Sequence, residues 1–311
     1  MSDTIPIVDL QGGTFSDAAE TARIGGEIGA ACRSIGFFYC VNHGVDLGLR
    51  EAMFRQSAAF FALAAVDKAA LSIARVGDNR GYVGMKAEAL DPAKGGDMKE
   101  AFNIGYDPAF DGGLPGSANA WPQLADFRVT AEAYFTACLT LGRGLHRAIA
   151  ADLGLEADFF ADKFTQPMAT MRLLHYPPSA GSGADLGAGE HTDYGNLTLL
   201  ATDAVGGLEV RRRDGDWLQA PVIPGAYVVN IGDCLMRWTN DIYRSTRHRV
   251  VSPAGRERYS IAFFLDPDPA AEVAALPGTV PAGETAKYPP TTALAHLTER
   301  LTATYAFGRQ G

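Results

Sequence analysis

The feature that most limits what this chain can fold into is a change of hydrophobic period near residue 168. From there the apolar positions recur every second residue, the spacing of strands with one face buried. Met168–Tyr176, Leu197–Ala201, Leu208–Arg212, Trp217–Ala220, Ala226–Ile231, Arg247–Val251 and Tyr259–Leu265 all read as strands. Turn residues separate them: Pro177-Pro178, Gly206-Gly207, Asp214-Gly215, Pro224-Gly225, Gly232-Asp233 and Pro253-Ala254-Gly255. Gly232-Asp233 reads as a hairpin turn, and Ala180–Gly189, rich in Gly, Ser and Ala, as a loop. Many short strands at such spacing predict a barrel or a sandwich.

The first 160 residues carry mostly the helical period. Ile24, Ile28, Ala31 and Ile35 recur at helical spacing behind candidate caps at Ser16 and Asp17, with Glu20 three residues after Asp17. Gly36 ends that helix, and the aromatic and β-branched run to Val41 predicts a strand. Leu49, Met53, Ser57 and Phe60 mark a second helix ending near Ala65. Phe127, Tyr134, Cys138, Leu141, Leu145 and Ile149 mark a third, and Thr292, Ala295 and Leu301 a helix in the tail. A mostly β core flanked by helices is the expected architecture.

Composition narrows the partners. A chain of 311 residues can bury a large core without disulfides or metals as staples. The formal charge of −9 argues against a nucleic-acid backbone as ligand. The longest apolar run, Ala58–Val66, has nine residues, far below the ~18 of a membrane span. The start shows neither a basic region nor an apolar stretch of a secretory signal. Cys32, Cys40, Cys138 and Cys234 are scattered, which suits free thiols in a reducing cytoplasm. The expected partner is a small molecule, with no nucleic acid and no membrane.

His191-Thr192-Asp193 supplies chemistry. Residues two apart on extended chain point to one side, so His191 and Asp193 can offer an imidazole nitrogen and a carboxylate oxygen to one point. His248 follows 55 positions after Asp193. Two histidines and one carboxylate occupy one face of an octahedron and leave three positions open, the pattern of non-haem Fe(II). Ten residues past His248, Arg258 and Ser260 share a strand face, a guanidinium and a hydroxyl ready for a carboxylate. The following Ile261–Leu265 is apolar on both faces, so the strand is expected to be buried, and a buried Arg needs an anion.

These and other segments resemble the isopenicillin N synthase-like group of 2-oxoglutarate/Fe(II)-dependent oxygenases over nearly the whole chain. Ile5–Leu10 is similar to its N-terminal strand, and Gly36–Gly44 to its G-F-F-x-x-x-N-H-G signature. Phe60–Leu63 with Lys68, Arg80–Tyr82 and Lys99–Phe102 follow in the family's order. Then come His191–Asp193, Gly206–Val210, Val229–Asp233, His248–Val250 and Arg258–Ser260. The resemblance implies a double-stranded β-helix (jelly-roll). Residues 1–120 would form an N-terminal helical and strand region, and 121–311 the catalytic core with its preceding and C-terminal helices, all one structural unit. It implies Fe(II) at His191, Asp193 and His248, with 2-oxoglutarate held by Arg258 and Ser260.

The implied reaction uses O2 to hydroxylate, desaturate or cyclise a small organic substrate, releasing succinate and CO2. A cosubstrate-free oxidase of the same group retains the Arg-x-Ser pair and stays open, as does a non-catalytic sensor that binds a metal or small acid. Tyr176 stands where the family commonly bonds the cosubstrate carboxylate, or else is an aromatic of the barrel wall. Leu174 stands where many plant members have asparagine. His43 is expected to stabilise a turn, His175 to face outward or into a helix layer, and His146 and His296 to be structural or exposed. Candidates for the substrate side are Arg75, Tyr82, Phe102, Arg172 and Phe264. Arg172 shares a strand face with Leu174 and Tyr176 and would meet either a substrate carboxylate or an internal acid.

Overall fold

A computed structural model describes residues 4–77, 79–88, 96–113, 116, 119–178, 186–252 and 255–306. The N-terminal part runs β1 (Ile7–Asp9), α1 (Ala18–Ser34), β2 (Phe37–Val41), α2 (Leu47–Phe61), α3 (Ala65–Ala70), α4 (Ile73–Val76), β3 (Gly81–Val83) and β4 (Glu100–Gly105). The long α5 (Phe127–Asp152) leads to β5 (Thr170–Tyr176), β6 (Leu186–His191), β7 (Leu197–Thr202), β8 (Leu208–Arg211), β9 (Trp217–Gln219) and β10 (Tyr227–Ile231). The chain closes with α6 (Asp233–Trp238), β11 (His248–Val251), β12 (Arg258–Leu265), two short strands and α7 (Ala293–Ala306).

Local chemistry explains the helix starts. The Asp17 carboxylate accepts from the Glu20 amide at 2.7 Å and caps α1, and Asp46 does the same for α2 through Leu49. Each cap satisfies an otherwise unpaired amide and is worth about 1 kcal/mol. Gly36, with φ of +73°, turns the chain from α1 into β2. A Cβ there would meet the Arg244 carbonyl oxygen at 2.1 Å, so both the backbone angle and the space require glycine.

Among the described residues the strands form a major sheet in the order β1-β2-β10-β7-β12-β5-β4-β3 and a minor sheet in the order β6-β11-β8-β9. The major sheet has two different faces. Leu173 on β5, Leu199 on β7, Val229 on β10 and Ile261 and Phe263 on β12 join the large core with α1 and α5. Their neighbours Leu174, Tyr176 and Ala262 point the other way and meet Ala188 and Val250 of the minor sheet. Phe37, Tyr39 and Val228 likewise meet Leu208 and Val210. Helices thus cover one face of the major sheet, and the space between the sheets is left for the site.

Three local expectations change. Leu186–Gly189 belongs to β6 rather than a loop, because it pairs with β11; residues 180–185 of that expected loop lie outside the described residues. Gly232-Asp233 opens α6 instead of turning a hairpin: the Asp233 and Cys234 amides donate to the Asp193 and Gly195 carbonyls. The helical first half also contributes β3 and β4, which extend the major sheet beyond β5.

Candidate metal and cosubstrate site

His191 ends β6, His248 starts β11, and the two are direct partners across that ladder. Asp193 follows in the turn after β6. Their ligand atoms lie within 4.8 Å of one another. The surroundings decide which atoms face inward. His191 Nδ1 contacts the Gly189 carbonyl at 2.7 Å and His248 Nδ1 the Thr246 carbonyl at 3.2 Å. A carbonyl only accepts, so each Nδ1 carries the proton and each Nε2 keeps its lone pair free. Those Nε2 atoms stand 3.8 Å and 3.7 Å from Asp193 Oδ1.

The other Asp193 oxygen is occupied. Oδ2 accepts from Asn230 Nδ2 at 2.7 Å and from Thr198 Oγ1 at 2.5 Å. The carboxylate is therefore held with Oδ1 toward the histidines. Burial opposes its charge, but His248, His191 and the two donors outweigh burial and hold Asp193 below the usual carboxylate range. Burial, and then the neighbouring His248, push His191 below the usual imidazole range. A neutral imidazole beside an ionised carboxylate is the state that ligates a divalent cation. Asn230 and Thr198 were not among the residues singled out from sequence; only their place on strands flanking the triad reveals them.

Arg258 and Ser260 lie on β12, both fully buried. Arg258 Nε donates to the Gly206 carbonyl at 2.6 Å and Nη1 to Ser260 Oγ at 3.1 Å. The guanidinium stands over the Tyr176 ring at 4.6 Å from its centre; Arg258 and Tyr176 are partners in the β12–β5 ladder. Nη2 has no hydrogen-bond partner among the described residues, nor does any carboxylate there pair with this cation. A buried charge with an orphaned donor fits an anionic ligand.

Both groups line one cavity of about 250 Å³ between the sheets. The alternation of β5 brings Arg172 and Leu174 to the same cavity, and that of β12 brings Ala262 and Phe264. Arg172 does not stand free. Its Nη2 is bonded to Glu88, and Lys99 lies 3.8 Å from the same carboxylate while holding Asp97 at 2.5 Å. Burial disfavours the Glu88 charge, but Arg172 and Lys99 overcome it and lower its pKa. So the internal acid, not a substrate carboxylate, meets Arg172.

Three other substrate candidates do not reach the cavity. Phe102 is fully buried among Phe60 and Phe127, since β4 buries both faces and Phe102 takes the helix side. Tyr82 donates to Glu100 at 2.6 Å, in a cluster with Lys68 and His175. Arg75 is exposed on α4. Asn103 lines the cavity instead and was missed; it is the β4 partner of Arg172. Its Nδ2 donates to Asn79, while its Oδ1 is buried with no partner among the described residues. Asp266, also on the cavity, accepts from the Asn196 amide at 2.7 Å, and burial pushes its carboxyl up to about 7.

The remaining histidines have structural bonds. His43 bridges Gly225 and Val45, and His146 joins the Gly142 carbonyl to Asn196. His175 packs beside Phe61 of α2 and bonds Glu100, and His296 contacts the Tyr194 carbonyl.

Two facing sheets enclosing a cluster of two histidines and one carboxylate beside a buried arginine define the class of non-haem iron oxygenases built on a double-stranded β-helix. Residues 167–267 match the 2OG-Fe(II) oxygenase superfamily, and residues 5–124 match the N-terminal region of non-haem dioxygenases in morphine synthesis. The chain is 35% identical over 301 residues to the 2-oxoglutarate-Fe(II) type oxidoreductase hxnY of Emericella nidulans, covering 92% of this chain and 86% of that one. A full-length Neurospora crassa protein in complex with alpha-KG superposes with a TM-score of 0.87 at 35% identity, over 97% of this chain and 96% of that one. JOX2 in complex with 2OG, Fe and JA superposes with a TM-score of 0.80 at 30% identity, over 96% and 84%.

The chain belongs to the 2OG-Fe(II) oxygenase superfamily. It is a 2-oxoglutarate- and Fe(II)-dependent oxygenase, which sets aside the cosubstrate-free oxidase and the sensor. Among the described residues no helix is long and apolar enough to cross a membrane.

Proposed function

We propose that His191, Asp193 and His248 hold Fe(II), and that Arg258 and Ser260 bind the far carboxylate of 2-oxoglutarate above the Tyr176 ring. The observation that carries this is the buried Arg258, whose Nη2 has no partner among the described residues and which lines the cavity the triad shares. Fe(II) with 2-oxoglutarate supplies the activation of O2, coupled to decarboxylation of the cosubstrate to succinate and CO2. The protein's part is orientation and exclusion of water. Asn230 and Thr198 fix Asp193, the Gly189 and Thr246 carbonyls fix the imidazole tautomers, and Phe37 packs edge-on to His248 at 5.3 Å.

The substrate end favours a small, neutral, flat molecule with an amide-type edge. Arg172 and Lys99 are balanced by Glu88 and Asp97, so among the described residues these cations offer no spare charge at this end. This end does offer a donor and an acceptor. Arg172 Nε and Asn103 Oδ1 are both buried and have no partner among the described residues, on side chains that neighbour each other across the β4–β5 ladder. An N–H beside a C=O, as in a lactam or pyrimidine, satisfies both, and the Phe264 ring gives it a flat wall. The Neurospora crassa relative has been crystallised with thymine and with 5-formyluracil, which supports this choice over a small acid.

The test is succinate release with Fe(II), 2-oxoglutarate and a panel of nucleobases, lactams, phenolics and small acids. Stimulation by neutral lactam-type rings is expected. Stimulation by carboxylic acids alone would overturn the substrate class, and no succinate with any compound would overturn the assigned roles.

Residues 1–120 and 121–311 work as one unit, because β1 to β4 hydrogen-bond into the sheet that carries Arg258. The cytoplasm is the expected compartment, because all four cysteines are buried free thiols.

A further inference from the structure

The C-terminal helix α7 touches the metal-binding turn from outside, and one residue makes most of that connection. Arg300 Nη2 lies 2.6 Å from Asp233 Oδ2. The same nitrogen is 3.5 Å from Thr192 Oγ1, which itself donates to Asp233 Oδ2 at 3.2 Å. The guanidinium also stands over the Tyr194 ring, 5.3 Å from its centre. One turn earlier on α7, His296 contacts the Tyr194 carbonyl at 3.1 Å. Thr192 and Tyr194 are the two neighbours of Asp193 in the chain, and the Asp233 amide donates to the Asp193 carbonyl at 2.8 Å. Every one of these contacts therefore ends on Asp193 or beside it. Leu297 and Leu301, on the same helix, line the cavity.

We infer that Arg300 is a positioning residue: it clamps α7 to the turn bearing Asp193, holding that carboxylate in register and seating Leu297 and Leu301 as a wall of the reaction chamber. The inference rests on the metal reading above. Arg300 acts through Asp233, Thr192 and Tyr194 rather than on the ligand atoms themselves. Its side chain is 41% exposed, and a half-exposed ion pair is weak enough to open. Release of the clamp would then free the later turns of α7, whose start stays held by Ala293 in the core, and would remove the outer support of the turn. Arg is suited to this because one planar fork can pair with a carboxylate and lie on a ring together.

The test compares the full-length parent with Arg300→Gln, Arg300→Lys and the exposed control Glu299→Gln. Two quantities are read without any primary substrate: hydrogen exchange of the α7 backbone amides in the metal-free protein, and the rate at which a chelator strips Co(II) from the loaded protein. In Arg300→Gln, α7 amides are expected to exchange about tenfold faster while those of β12 keep the parental rate. Co(II) loss should be faster by roughly tenfold, the lower end of the effect on metal affinity when outer partners of metal ligands are removed. Arg300→Lys should fall between the two, and Glu299→Gln should match the parent.

Parental Co(II) loss in Arg300→Gln despite faster α7 exchange would overturn the positioning role, leaving only a tether. Parental values in both measurements would overturn the clamp altogether. A parent protein that retains no Co(II) would instead sink the metal assignment on which the inference rests. If Arg300→Gln fails to fold, the graded response of Arg300→Lys decides in its place: parental Co(II) loss there overturns the inference.

Discussion

Replacing Arg258 by Gln tests the cosubstrate site most directly. The guanidinium is fully buried and uses Nε on Gly206 and Nη1 on Ser260, leaving Nη2 for the ligand. Gln retains an amide donor but no charge, so a bound carboxylate would stand desolvated without its counter-ion. Removing one partner of such a pair costs about 2–5 kcal/mol. At ~1.4 kcal/mol per factor of ten, the constant for 2-oxoglutarate should rise from roughly 30-fold to a few thousand-fold. The assay is initial succinate release against 2-oxoglutarate concentration, with a thermal melt alongside because the Gly206 bond is lost as well. Arg258→Lys should recover part of the loss, since it restores charge but not the fork. A constant within about threefold of the parent, under ~0.7 kcal/mol, would refute the assignment.

The metal site gives a second test: His191→Ala and Asp193→Ala should each abolish stoichiometric Fe(II) binding while circular dichroism stays parental, and retained iron would show that the ligands lie elsewhere. Asp266→Asn should stabilise the metal-free protein more as pH rises. The Asp266 carboxyl is raised to about 7 in the fold by burial, so its ionisation weighs against folding progressively above the unfolded value of ~3.9, by up to about 4 kcal/mol. Melts at pH 5 and pH 8 check this, and an equal gain at both would refute it. In the metal-free Asp266→Asn protein, where that opposing carboxyl is gone, stability should fall on acidification below ~6.5, because burial holds His43, His146 and His296 below their usual range and the unfolded chain binds those protons more readily. A melting temperature flat from pH 7 to pH 5 would contradict that sign. Finally, Glu88→Gln leaves Arg172 and Lys99 without their shared carboxylate and should shift binding toward acidic compounds; an unchanged preference between uracil and its carboxylic acid would count against the charge balance.

What the sequence made legible were features carried by short spacing. His191-x-Asp193 and Arg258-x-Ser260 lie two apart, so extended backbone alone puts each pair on one side. The α1 cap at Asp17 was equally local. β6 was hidden because Gly187-Ala188-Gly189 has little strand preference of its own; pairing with β11 overrides that. Phe102 was misjudged because β4 is buried on both faces, and alternation cannot then say which face holds the cavity. Glu88 and Asn103 meet Arg172 across chain separations that no local pattern reports.

The pairing of His191 with His248 has a mechanical meaning as well. Among the described residues β6 lies at the rim of its sheet, built from residues that hold a strand poorly, and its last residue would supply one ligand while β11, its neighbour in the ladder, would supply another. An ion bound between them acts as a rivet at the rim. Iron loading should thus stiffen β6 more than any other strand, and iron loss should let the barrel fray from this seam first.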